Sequence, residues 1–144
     1  PQKLEQVADR SILKIYSFDK DNPLDFSWLV KAVLNDLQNG VPRSEIASAF
    51  HRTYAAMWCV ELAKQAVRQK LSRVVLCGGV FQNKLLVDIL MPMLRQLGLQ
   101  PYLPASVPCN DAGIAVGQMA VTAAWIEQSM NHNDKRHARV VVGL

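Results

Sequence analysis

Apolar side chains recur along this chain with two distinct periods. Leu24, Trp28, Leu29, Ala32, Val33 and Leu37 stand mostly three and four apart, the spacing that gathers residues on one helical face. A helix over 24–38 follows, with Asn39-Gly40 as its stop signal. Pro42 and Ser44 open a second helix, Ser44 serving as a candidate N-cap. Ile46, Ala49, Phe50, Thr53, Met57, Val60, Ala63, Ala66 and Val67 carry its apolar stripe to about residue 70. Leu85, Leu86, Ile89, Leu90, Met93, Leu94 and Leu97 predict a third helix, closed by Gly98, with Pro92 expected to kink or break it. A fourth covers 112–126, rich in small residues on one side, as close packing would need. Between these helices the pattern changes. Arg73–Cys77 is a short β-branched run read as a buried strand, and 99–104 is a second one. "SILKIYSF" (11–18) has strand-like composition, and 1–10 reads as a polar lead-in.

Strands that alternate with helices predict an α/β fold with a parallel sheet and right-handed crossovers. Two loops, 78–83 and 105–111, each follow a strand and precede a helix. Ligands of open α/β sheets collect at the carboxyl ends of strands, so the two loops are expected side by side at one edge.

Composition narrows this picture. In 144 residues, half are hydrophobic and 19% are charged, which suits one globular domain with a real core. The net charge of +4 permits an anionic ligand without demanding nucleic acid. Cys59, Cys77 and Cys109 form no CxxC pair, so reduced thiols in a cytoplasmic protein are expected. No uninterrupted apolar stretch is long enough for a membrane span, since the segment 112–126 is interrupted by Gln118 and Thr122. "PQKLEQVADR" lacks the apolar core of a signal peptide. The first residue is Pro rather than Met, so a fragment or processed product is expected. The division expected is a domain over 1–127 and a charged tail over 128–144.

The loop "GGVFQN" carries the first candidate chemistry. Gly78 and Gly79 permit positive φ and let a ligand approach the backbone. N–H groups there, and at the start of the next helix, favour an anion. Phe81 suits a place under a nucleoside, and Gln82 and Asn83 suit hydrogen bonds to it. The plainer alternative is a tight turn in which Asn83 only caps the helix. In "PCNDAGIAVGQ" (108–118), Asp111 is either a simple cap or a carboxylate aimed into the crevice. Gly113 and Gly117 lie on one helix face, where they would permit close packing or close approach of a ligand.

Together, "GGVFQN" and "NDAGIAVGQ" resemble the C-terminal end of the HypF family of carbamoyltransferases, which act in hydrogenase maturation. "IASAFHRTYA" (46–55) resembles the helix that precedes those motifs there, and the resemblance spans about residues 24–126. It implies the second lobe of an actin-like, sugar-kinase-like ATPase fold, akin to TsaD/Kae-type transferases. It implies ATP or carbamoyl-adenylate at Gly78, Gly79, Val80 and Asn83. It implies Asp111 as one ligand of a divalent metal (Zn or Fe). The other metal ligands would lie upstream, because His51, His132 and His137 form no HxxxH pair, and this chain alone would not turn over. It further implies carbamoyl transfer to the C-terminal cysteine of a HypE-like acceptor, with His51 as a possible substrate contact. Ala112 stands where the family usually has Gly, which is tolerable unless the backbone there needs positive φ.

Read from its residues alone, a lone His on a largely apolar helix is more often a packed, hydrogen-bonded residue than a ligand, and His51 is read that way. His132 and His137 read as solvated, and Cys59 as core. Two other functions fit the same fold: a transferase acting on tRNA or on a small hydroxylated molecule, and a non-catalytic interaction module. A lone lobe would also expose a face suited to self-association.

Overall fold

The computed structural model describes residues 2–131. Their elements run α1 (Gln2–Val7), α2 (Ser27–Gln38), α3 (Arg43–Gln69), β1 (Arg73–Val75), a 3₁₀ turn (Gly79–Gln82), α4 (Lys84–Gln96), β2 (Gln100–Tyr102) and α5 (Ala112–Asn131). β1 and β2 pair in parallel, with Arg73 opposite Gln100 and Val75 opposite Tyr102, and α4 forms the crossover. The α/β expectation holds, and the sheet has two strands among the described residues.

α3 is the axis of the molecule. α1, α2 and α4 all pack on it, so burial extends beyond one stripe. Ala47, Ala49 and Ala55 are fully buried and let neighbouring elements come close. On one side of α3, Ala55 and Cys59 meet Leu76, Leu86, Leu90, Leu94 and Leu99. On another, Ala49 and Met57 meet Tyr16 and Leu29, flanked by Phe18 and Trp28, whose rings stack at 5.9 Å. Burial pushes the Cys59 thiol up to about 11, so it behaves as a core hydrophobe.

Several expectations are corrected. Residues 1–10 contain the helix α1 rather than only a polar lead-in. Residues 11–18 alternate in burial as a strand would, yet they pair with no strand. Side chains of α3 satisfy this backbone instead. Thr53 Oγ1 accepts from Tyr16 N–H at 2.9 Å, and Arg52 Nε donates to the Ile12 carbonyl at 2.6 Å. Ser44 is no N-cap: α3 begins at Arg43 after Pro42, without a side-chain cap. Leu24 lies outside α2. Val67 is 81% exposed, so the α3 stripe ends earlier than its periodicity suggests. β1 is not buried on both faces, because Val75 is 68% exposed. Pro92 leaves α4 unbroken. α5 leaves Ile114 and Met119 exposed, and its close packing is confined to Gly113 beside the Pro108 carbonyl. Lys135, Arg136, His132, His137 and nearly all of the tail lie outside the described residues, and no helix among those described is long and apolar enough to cross a membrane.

Candidate functional site

The glycine loop starts where β1 ends. Gly78 has φ +110°, a conformation that L side chains rarely adopt. Its N–H donates to the Cys109 carbonyl at 2.5 Å. This bond ties the two loops together at the carboxyl edge of the sheet, as the strand order predicts. Gly79 differs from Gly78. Its φ is ordinary, and a Cβ built on it would meet nothing within 4 Å. Gly79 and Val80 open the 3₁₀ turn, so the turn itself leaves their N–H groups unused.

Asn83 ends the loop and caps α4: its Oδ1 accepts from Leu86 N–H at 2.9 Å. The plainer reading of Asn83 is therefore realised, and the same side chain also does more. Its Nδ2 lies 2.8 Å from His51 Nε2. The other ring nitrogen, Nδ1, lies 2.7 Å from the Ala47 carbonyl. A carbonyl only accepts, so these partners assign the hydrogen to Nδ1 and a lone pair to Nε2, which Asn83 then meets as donor. His51 is 3% exposed and both its nitrogens are engaged. The structure thus brings together two of the predicted site residues, His51 and Asn83.

Most of the first-turn amides of α4 are engaged within the protein. Leu85 N–H donates to Glu5 Oε1 at 3.0 Å, and Val87 N–H donates to the Asn83 carbonyl at 3.2 Å. With Leu86 engaged by Asn83 Oδ1, three first-turn amides have protein partners. Glu5 adds negative charge there, which complements the helix dipole and repels phosphate. Sequence reasoning missed Glu5 because it lies 80 residues from its partner. The only available signal was an acidic residue with apolar neighbours in a segment read as polar. Among the described residues, the backbone donors without a protein partner at this edge include those of Gly79 and Val80 and the first amide of α4, Lys84 N–H.

Behind the loop lies an apolar cavity of about 280 Å³ between α3 and β1, bordered by Tyr54, Trp58, Val75, Cys77, Val80 and Phe81. Phe81 packs against the leucine-rich core, and Gln82 is exposed. On the second loop, Asn110 Oδ1 accepts from Ala112 N–H at 3.1 Å, so Asn110 supplies the cap and Asp111 is exposed. No three His, Cys, Asp or Glu side chains gather to hold a metal among the described residues. One exposed carboxylate does not constitute a metal site. Ala112 has no positive φ, so its departure from Gly is accommodated.

Residues 1–118 match the family described as "Carbamoyltransferase, Kae1-like Domain, second subdomain". The chain belongs to this carbamoyltransferase family. It is 38% identical over 114 residues to a carbamoyltransferase HypF of Rhizobium leguminosarum bv. viciae, covering 78% of this chain and 14% of that protein. A crystal structure of full-length HypF in a phosphate- and nucleotide-bound form superposes with a TM-score of 0.75 at 27% identity, over 87% of this chain and 17% of that one. A probable bifunctional tRNA threonylcarbamoyladenosine biosynthesis protein of Methanosphaera stadtmanae is 29% identical over 71% of this chain and 19% of its own length. The chain thus spans under a fifth of each of these three relatives. Both family motifs, 78–83 and 110–118, fall within the matched residues, on the two loops joined by Gly78 and Cys109.

Proposed function

We propose that this chain forms the nucleotide-facing part of a HypF-type carbamoyltransferase. The observation that carries the reading is the junction of its two motif loops through Gly78 and Cys109, which leaves the Gly79 and Val80 amides and Asn83 on one edge. There the loop meets the nucleoside part of ATP or of a carbamoyl-adenylate made from carbamoyl phosphate and ATP. Glu5 at the start of α4 keeps phosphate away from that helix end. The chain's own contribution is positioning by preorganised donors. The carbamoyl carbon then passes to the C-terminal thiolate of a HypE-like acceptor in the cytoplasm, with AMP as leaving group.

The deciding experiment is Gly79→Ala with ATP titrated calorimetrically. Open space around that position keeps the fold intact, so weaker ATP binding at an unchanged Tm supports the reading. Unchanged ATP binding in the variant overturns the placement of the nucleotide at this loop, and an unsubstituted chain that binds no ATP overturns the reading in favour of an interaction module. A second reading, threonylcarbamoyl transfer to tRNA, draws on the Methanosphaera relative. It requires tRNA binding whose affinity falls steeply with salt.

A further inference from the structure

We propose that His51 is a positioning residue: it fixes the plane of the Asn83 amide, so that Asn83 meets a bound nucleotide as donor of a single hydrogen. This deepens the nucleotide reading above and rests on it. A cap alone would hold Asn83 by one oxygen and leave its terminal torsion, which is broad for a carboxamide, free to turn. A second anchor on Nδ2 removes that freedom. His51 Nε2 supplies the anchor at 2.8 Å, from a ring itself held by the Ala47 carbonyl at 2.7 Å. The accounting for Asn83 is then narrow. Oδ1 is engaged by Leu86 N–H, and one Nδ2 hydrogen is engaged by His51. One hydrogen remains, on a half-buried side chain at the loop. The ligand atom that this hydrogen meets must be an acceptor, such as a ribose oxygen or a ring nitrogen of the base. His51 is too buried to touch the ligand and acts only through Asn83.

The test uses the full chain, labelled for nitrogen NMR, with ATP as the probe. The His51 ring is expected to show a protonated Nδ1 and a bare Nε2. ATP is expected to shift one Asn83 side-chain proton much more than its twin. His51→Ala is expected to weaken ATP binding about tenfold, the scale of one lost hydrogen bond. His51→Gln, which keeps an acceptor facing Asn83, is expected to recover most of that loss. A proton on Nε2, equal movement of both Asn83 protons, or wild-type ATP affinity in a folded His51→Ala protein would each overturn the inference. If His51→Ala does not fold, the wild-type spectra and His51→Gln decide. Failure of the nucleotide reading looks different: the His51 ring signature persists while ATP shifts nothing between Gly78 and Asn83, and the positioning role falls with it.

Discussion

Two adjacent glycines do separate jobs. Gly78 holds φ +110°, so Gly78→Ala is expected to cost about 1–2 kcal/mol in strain and to lower Tm with or without ligand. Gly79 has ordinary φ and open space where a Cβ would stand. Gly79→Ala should therefore leave Tm unchanged and weaken only ATP binding, which calorimetry and a thermal melt read together. The dipeptide alone predicted flexibility at both positions, and the three-dimensional backbone assigns it to the first. Asn83 was legible as a cap because its partner, Leu86, lies one turn away. Its bond to His51 was not, since 32 residues separate them.

Single contacts between elements set further expectations. Lys14 bridges Asp36 on α2 and Glu45 on α3 at 2.9 and 3.0 Å, and Tyr16 donates to Asp36 at 2.7 Å. Hydrogen bonds from Lys14 and then Tyr16 hold Asp36 below its ordinary 3.8. A depressed carboxylate stabilises above its unfolded pKa, and that contribution is lost as pH falls through the folded value. Hydrogen bonds to Asp36 and then Glu45 raise Lys14 from 10.5 to about 12. Burial, then the bond to Asp36, raises Tyr16 from 10.0 to about 12. Raised groups stabilise below their unfolded pKa, and the gain is lost between about 10 and 12. Asp36→Asn is expected to flatten stability at both limbs, as urea titrations across pH would show. On α5, a Cβ at Gly113 would collide with the Pro108 carbonyl, whereas one at Gly117 meets nothing. Gly113→Ala is expected to displace the 105–111 loop and lower stability. Gly117→Ala is expected to raise α5 stability by up to about 1 kcal/mol, with both read by helicity and melting. The spacing put these two glycines on equal terms, and only the loop's path separates them.

At the scale of the whole molecule, two core clusters lie on different sides of α3. Leu94 is fully buried in the leucine-rich cluster, so Leu94→Ala is expected to cost about 2–5 kcal/mol, a large share of the stability of a small domain. Val67 has the same helical periodicity but is 81% exposed, and Val67→Ala is expected to stay within about 0.5 kcal/mol. Chemical denaturation of the two variants measures the contrast.

The sequence by itself determined the helices α2 to α5, the two short strands, their parallel α/β order and the two motif loops. Each depends on period, caps or turn residues, which are properties of neighbours along the chain. Only the tertiary structure decided that residues 11–18 lie along a helix instead of in a sheet, because strand-like alternation does not name its partner. It alone set Glu5 against Leu85, His51 against Asn83, and Gly78 against Cys109. Those hydrogen bonds join residues far apart in the chain, and folding around α3 is what brings their donors and acceptors within reach.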